Sequence, residues 1–212
     1  ENAQPGEMGD LRQVHLELKL IADVGVIGYP NAGKSTLISS ISAAKPKIAD
    51  YPFTTLAPNL GVVRAHDERS FVVADIPGLV PGAHKGIGLG TQFLRHIERT
   101  NLFVHLIDAS GSAGRDPLQD YRDIMHELVE YDRAKAEEEG FRPLAEREQL
   151  VVLNKIDVLP PEDLAILQDR FAREGIAILS ISAASHRGLR ELVTDIGKRV
   201  VKSGVLEFLE PH

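Results

Sequence analysis

The side chains best equipped for chemistry in this sequence begin with one uninterrupted run, Gly28-Tyr29-Pro30-Asn31-Ala32-Gly33-Lys34-Ser35. It matches G-x-x-x-x-G-K-[ST], a loop whose backbone N–H groups cradle a phosphate chain. In that geometry Lys34 reaches the β- and γ-phosphates and the Ser35 hydroxyl ligates Mg²⁺. The flanks have the types such a loop needs. Asp23-Val24-Gly25-Val26-Ile27 is an apolar, β-branched run that reads as a buried strand, and Leu37, Ile38 and Ile41 recur after the loop at helical spacing. A helix N-terminus after a glycine loop attracts anions, because its unpaired N–H groups and its dipole point the same way. The run is read as a nucleotide site.

Three further groups fall where apolar runs end. Asp75-Ile76-Pro77-Gly78 supplies a carboxylate for Mg²⁺, directly or through water, and a glycine whose N–H can approach the γ-phosphate with no side chain in the way. Asn154-Lys155-Ile156-Asp157 selects the base. The Asp157 carboxylate accepts from N1–H and the exocyclic amine of guanine. Adenine has neither donor and would leave that carboxylate unpaired, which is a strong basis for rejection. Asn154 and Lys155 are expected to brace the loops around the base. Ser182-Ala183-Ala184 offers small residues whose backbone N–H groups can reach the guanine O6.

These residues need a frame that collects them on one side. Apolar strands are expected at 23–27, 59–64, 70–74, 102–107, 150–153 and 176–181, with a hairpin turn at 65–69. Helices are expected after Ser35, around Leu89 to Arg99, from Pro117, from Pro161 and from Leu189 onward. Strands and helices alternate apart from the hairpin. The fold class is α/β: a doubly wound, mostly parallel six-stranded sheet with helices on both faces, a P-loop fold with ligand loops at the carboxyl ends of the strands. Residues 44–55 read as a long loop, and Asp132 to Glu139 as a solvated helical extension. Gly78, Gly82, Gly86, Gly88 and Gly90 make a stretch that is costly in backbone entropy to order. His84, Lys85 and His96 near it read as solvated polar residues.

Bulk properties narrow the function class. The 212 residues suffice for one well-cored domain, and the chain is 43% apolar and 26% charged, as soluble globular proteins are. No apolar run approaches the ~20 residues that span a bilayer. The absence of cysteine excludes disulfides and thiolate metal sites and fits a cytoplasmic location, or an organelle stroma or matrix. A net charge of −7 argues against nucleic-acid binding through a basic surface of this segment.

With these residues in view, the sequence resembles the GTPase domain of the Obg family along essentially its whole length. The marks are Gly28 through Thr36, then Tyr51-Pro52-Phe53-Thr54-Thr55-Leu56-Ala57-Pro58-Asn59-Leu60-Gly61, Asp75-Ile76-Pro77-Gly78-Leu79, Gly88-Leu89-Gly90 ahead of Phe93 to Arg99, and Asn154-Lys155-Ile156-Asp157. The resemblance implies binding and hydrolysis of GTP with Mg²⁺, GDP as product, and ribosomal particles, chiefly the large subunit during assembly, as partner. It implies that Phe53, Thr54, Thr55, Leu56 and Ala57 form the first switch and that Thr55 ligates Mg²⁺; the residues alone do not choose Thr55 over Thr54. It also implies that 1–22 is the tail of a glycine-rich domain or linker, that 23–203 is the GTPase domain, and that 204–212 begins a C-terminal linker. On that reading the missing domains make most of the RNA contact.

Two positions bear on turnover. Ras-like GTPases place a water-orienting glutamine just after Asp-x-x-Gly; here Leu79 stands there, and an aliphatic side chain cannot hold a water. In related GTPases with this loop pattern, an asparagine at the place of Asn31 ligates K⁺ beside the bond that breaks. By residue type alone Asn31 reads equally as a loop residue tolerant of left-handed dihedrals. Lys34, Thr55, Gly78 and Asn31 are thus the expected catalytic set, and K⁺ stimulation is an expectation to test. Two other readings stay open: a nucleotide-gated binding module with incidental hydrolysis, and the G domain of a membrane iron transporter, which shares the Asn31 loop but not the Tyr51 to Gly61 stretch.

Overall fold

A computed structural model describes residues 22–48, 59–65, 69–76, 100–112, 114–137 and 141–202. Residues 1–21, the first-switch residues 53–57, Pro77, Gly78, Leu79, the helix expected around 89–99 and the segment 204–212 lie outside the described residues.

The strand β1 (Val24–Ile27) is buried at every position, and its neighbours show why. It lies between β4 (Ser70–Asp75) and β5 (Leu102–Asp108), both parallel to it. A strand covered on both faces needs apolar side chains pointing both ways, which is why its sequence does not alternate. The sheet continues outward to β3 (Asn59–Arg64) and β2 (Lys47–Ile48) on one side, and to β6 (Glu148–Asn154) and β7 (Ile178–Ser180) on the other. Its order is β2-β3-β4-β1-β5-β6-β7, with only β2–β3 and β3–β4 antiparallel.

The six expected strands are all present, and β2 is an addition. Lys47 and Ile48 sit inside the stretch read as loop and pair with Leu60 and Asn59. Two residues are too few to leave a periodic signal. The edge of β3 supplies the hydrogen bonds that make them a strand.

Helices cover both faces. The first, α1 (Lys34–Ile41), shares a core with α4 (Leu189–Lys202): Leu37 and Ile38 meet Val24, Val26, Phe71, Val73, Val104, Leu192 and Ile196. The opposite face carries α2 (Pro117–Lys135) and α3 (Pro161–Arg173), which pack Ile124 and Leu128 on Ile27 and Phe103, and Leu167 and Phe171 on Ile107 and Leu153. The start of α2 follows from its sequence. Pro117 sits at the first helical position, and Asp116 accepts from the Gln119 amide as N-cap. In α3, Glu162 and Asp163 lie in the first turn and Arg170 and Arg173 in the last, matching the helix dipole.

The charged run after Tyr131 extends the helix to Lys135, as expected, with Arg133, Ala134, Ala136 and Glu137 exposed. Two of its residues depart from a solvated face. Asp132 is half-buried, and its carboxylate accepts from the Leu144 and Ala145 amides at 2.7 and 2.8 Å. Lys135, which ends the helix, is buried. The chain must turn back here to enter β6, and the carboxylate satisfies backbone donors in that turn.

Candidate nucleotide site

The phosphate loop leaves β1 at Gly28, where φ is 146°, a conformation that L side chains rarely adopt. A Cβ there would run into the Leu106 carbonyl oxygen of β5. Gly33 precedes α1 with φ 99°, and a Cβ on it would strike the Asn154 side-chain amide. Both glycines are required by backbone shape and by close approach at once. Between them Asn31 takes a left-handed φ of 65°, which asparagine tolerates better than most residues. Ala32 is fully buried, whereas Pro30 and Asn31 are exposed.

Lys34 opens α1 and folds back over the loop, donating from Nζ to the Gly28 and Tyr29 carbonyls at 3.0 and 3.1 Å. Burial pushes its ammonium pKa down, and the Asp75 carboxylate opposes that shift. Ser35 donates from Oγ to Asp75 Oδ2 at 3.0 Å. Sheet register explains the meeting, because Val26 of β1 pairs with Asp75 of β4 and the Ile76 amide donates to the Val26 carbonyl. The second Asp75 oxygen, Oδ1, is buried with no hydrogen-bond partner among the described residues. A hydroxyl and an orphaned carboxylate oxygen side by side are hard donors that fit Mg²⁺, which needs few protein ligands because it keeps much of its water.

At the other end lies a cavity of about 230 Å³ lined by Gly33, Thr36, Asn154, Lys155, Asp157, Val158 and Ser182 to Ala184. Asn154, at the end of β6 and only 2% exposed, builds it. Its Nδ2 donates to the Ala32 carbonyl at 2.8 Å, and its Oδ1 accepts from the Ala183 amide at 2.9 Å. One side chain therefore joins the phosphate loop to the loop after β7. Asp157 stands exposed at the rim of the cavity in a short 3₁₀ turn.

The 182–184 loop narrows what was expected of it. The Ser182 amide donates to the Arg187 carbonyl, the Ala183 amide to Asn154, and the Ser182 hydroxyl accepts from the Ser185 amide. Two of the three amides expected to face the base are committed within the protein, which leaves that of Ala184. A buried N–H must be paired, and the protein supplies nearer acceptors for the first two.

Sequence reasoning missed two supports. Asp108, at the end of β5, takes the Lys155 ammonium at 2.6 Å together with the Ser110 and Ser112 hydroxyls and the Ser110 amide. Burial pushes its carboxyl up, but Lys155 and the serine donors outweigh this and hold it below the ordinary carboxylate range. Tyr29 donates its hydroxyl to Asp123 of α2 at 3.0 Å, with the Arg115 guanidinium 4.5 Å from the centre of its ring. Burial, with Asp123 nearby, pushes the Tyr29 hydroxyl pKa up. An aspartate ending an apolar strand was the available signal for Asp108; nothing local marked Asp123.

Comparison with known proteins follows this geometry. The family model for 50S ribosome-binding GTPases matches residues 23–155. GTPase Obg of Bdellovibrio bacteriovorus is 62% identical over 203 residues, 95% of this chain and 59% of that protein. GTPase Obg of Desulforamulus reducens is 50% identical over 212 residues, 99% of this chain and 48% of that protein. The chain thus spans about half the length of the curated relatives it matches. Among solved structures, Aquifex aeolicus Era bound to GDP and AlF4⁻ is 26% identical with a TM-score of 0.56, over 85% of this chain and 57% of that one. The cytosolic domain of the T. maritima FeoB iron transporter reaches a TM-score of 0.58 over 84% of this chain and 63% of that one. At 18% identity that likeness shows the fold alone.

Proposed function

We propose, since the chain belongs to the 50S ribosome-binding GTPase family and within it to the Obg GTPases, that it binds GTP, hydrolyses it to GDP and acts as a nucleotide-controlled switch in assembly of the large ribosomal subunit. The observation that carries this reading is Asn154, whose amide ties the Ala32 carbonyl to the Ala183 amide and so makes phosphate loop and base cavity one site. Asp157 accepts the guanine edge, the Ala184 amide faces O6, and Lys34 leaves its loop carbonyls for the phosphates. Ser35 and Asp75 would hold Mg²⁺, with Thr55 as the further ligand that the resemblance implies. An ion held there would supply positive charge to the phosphate chain.

Thr55 and the Gly78 amide then read the third phosphate, and its loss releases the two switch segments. With Leu79 where Ras-like proteins have a water-orienting glutamine, intrinsic turnover is slow, and a partner or a K⁺ beside Asn31 supplies the missing charge. Domains beyond this acidic segment carry most of the ribosomal RNA contact, consistent with a G domain at 23–203 between a linker or domain tail at 1–22 and a linker at 204–212.

The test is nucleotide hydrolysis with GTP and with ATP, in K⁺ and in Na⁺, with and without ribosomal subunits. Hydrolysis selective for GTP and Mg²⁺-dependent is expected, faster in K⁺ and faster with large subunits. Equal use of ATP overturns the base assignment, and equal rates in the two cations remove the role of Asn31. Nucleotide-dependent affinity for large subunits that survives in a hydrolysis-dead variant would instead favour a binding module in which hydrolysis is incidental.

A further inference from the structure

Asp108 is where the base end of the site is held, although no nucleotide atom need touch it. It closes β5 opposite Asn154 in the β5–β6 register, and the Ala109 amide donates to the Asn154 carbonyl. Its carboxylate is 5% exposed and collects four donors: Lys155 Nζ at 2.6 Å, the Ser110 amide at 3.0 Å, and the hydroxyls of Ser110 and Ser112 at 2.5 and 2.9 Å. Lys155 itself sits at a left-handed φ of 65°. A lysine gains nothing from that conformation, so an interaction elsewhere must favour it. The Lys155 carbonyl accepts from the Val158 amide in the turn that follows, and its side chain enters the ion pair with Asp108, which is sheltered on its acid side, where solvent screens least.

We infer that Asp108 is a positioning residue for nucleotide affinity: it holds the Lys155 ammonium, so that the methylene stem of Lys155 is what the base cavity receives. The inference rests on the guanine-nucleotide reading of that cavity. The Lys155 charge is then spent on Asp108 and plays no part at the phosphates, which lie at the Lys34 end of the site. Lys155 also lines the cavity beside Asp157. A stem fixed at both ends is already ordered before the base arrives, whereas a free lysine would lose rotamer entropy on binding. Removing the carboxylate should therefore weaken GDP and GTP alike and leave turnover of bound GTP unchanged.

A double-mutant cycle on the 212-residue chain tests this, with fluorescently labelled GDP as the probe and thermal melting as the control for folding. Asp108→Asn is expected to weaken GDP about tenfold, the size of one charge-assisted contact, with kcat at saturating GTP unchanged. In a Lys155→Ala background the same substitution is expected to add less than twofold. An equal loss in both backgrounds overturns the inference, because Asp108 would then act by folding its own loop. A fall in kcat matching the loss of affinity also overturns it. Should Asp108→Asn not fold, Asp108→Glu, which keeps the charge and displaces the partner, reads the same cycle. Ser112→Ala leaves the ion pair in place and is expected to bind GDP as the wild type does. Failure of the guanine reading itself shows separately, as a wild-type chain that does not prefer GDP to ADP.

Discussion

The two ends of the site are built by opposite means. The phosphate end is one contiguous loop whose shape comes from backbone conformation: Gly28 and Gly33 at dihedrals that L residues avoid, and Lys34 bonded to carbonyls five and six residues before it. The base end is assembled from three segments far apart in sequence, 108–112, 154–157 and 182–184, joined by buried side chains. A loop held by its own backbone tolerates loss of a side-chain contact. An assembly held by Asn154 and Asp108 does not, since each of them satisfies several partners at once. The base end should therefore be the more sensitive to single polar substitutions, and the phosphate end to changes at its glycines.

The largest effect expected at the base end is one of identity. Asp157→Asn exchanges an acceptor for a donor and should move preference from guanine to xanthine nucleotides, by a factor on the order of 10⁴ in relative kcat/KM. Competition between GTP and XTP measures it. Unchanged GTP preference would remove Asp157 from the site.

Next is Asn154→Ala, which orphans the Ala32 carbonyl and the Ala183 amide together. A loss of about 2–4 kcal/mol in unfolding free energy is expected, with weaker nucleotide binding. A loss under about 1 kcal/mol would show that the ends are not coupled through this side chain.

Acid tests what lies beneath both. His105 of β5 pairs with Ile27, which leads into the phosphate loop, and with Val151 of the strand that carries Asn154. Burial depresses its pKa from 6.5 to about 4. Between these values the unfolded chain takes up a proton that the folded chain refuses. Stability is then complete above pH 6.5 and falls as pH drops towards 4, by up to about 3 kcal/mol. Urea titrations from pH 7 to 4 check this, and His105→Gln should flatten the profile.

The smallest effect tests the phosphate end. Tyr29→Phe removes only the bond to Asp123, so a loss of about 1 kcal/mol in stability, with GDP affinity within about threefold of wild type, is expected. A larger loss of affinity would mean that the loop depends on α2, and the contrast between the ends would fail.

Much of this molecule was legible in the chain. Six of the seven strands among the described residues, the antiparallel pairing of β3 with β4 and the starts of α2 and α3 at Pro117 and Pro161 all carry local signals, through periodicity, turn residues or capping residues. The strand β2 was not legible, because two residues have no period and only the exposed edge of β3 makes them a strand. Asp132 looked solvated because its partners, the Leu144 and Ala145 amides, lie 12 and 13 residues further on, in the turn that leads into β6.

The site divides along the same line. Sequence by itself determined which residues are proposed to meet the phosphates, because Gly28 to Ser35 are consecutive and the loop motif is complete without any other part of the chain. It also named Asp157, which lines the cavity at the other end, as the group proposed to read the base. Only the tertiary structure decided that Ser35 meets Asp75, that Ala183 gives its amide to Asn154 and that Lys155 belongs to Asp108. Those pairings join residues 29 to 47 positions apart. They are set by the register of parallel strands, which brings carboxyl ends together whatever their separation in sequence.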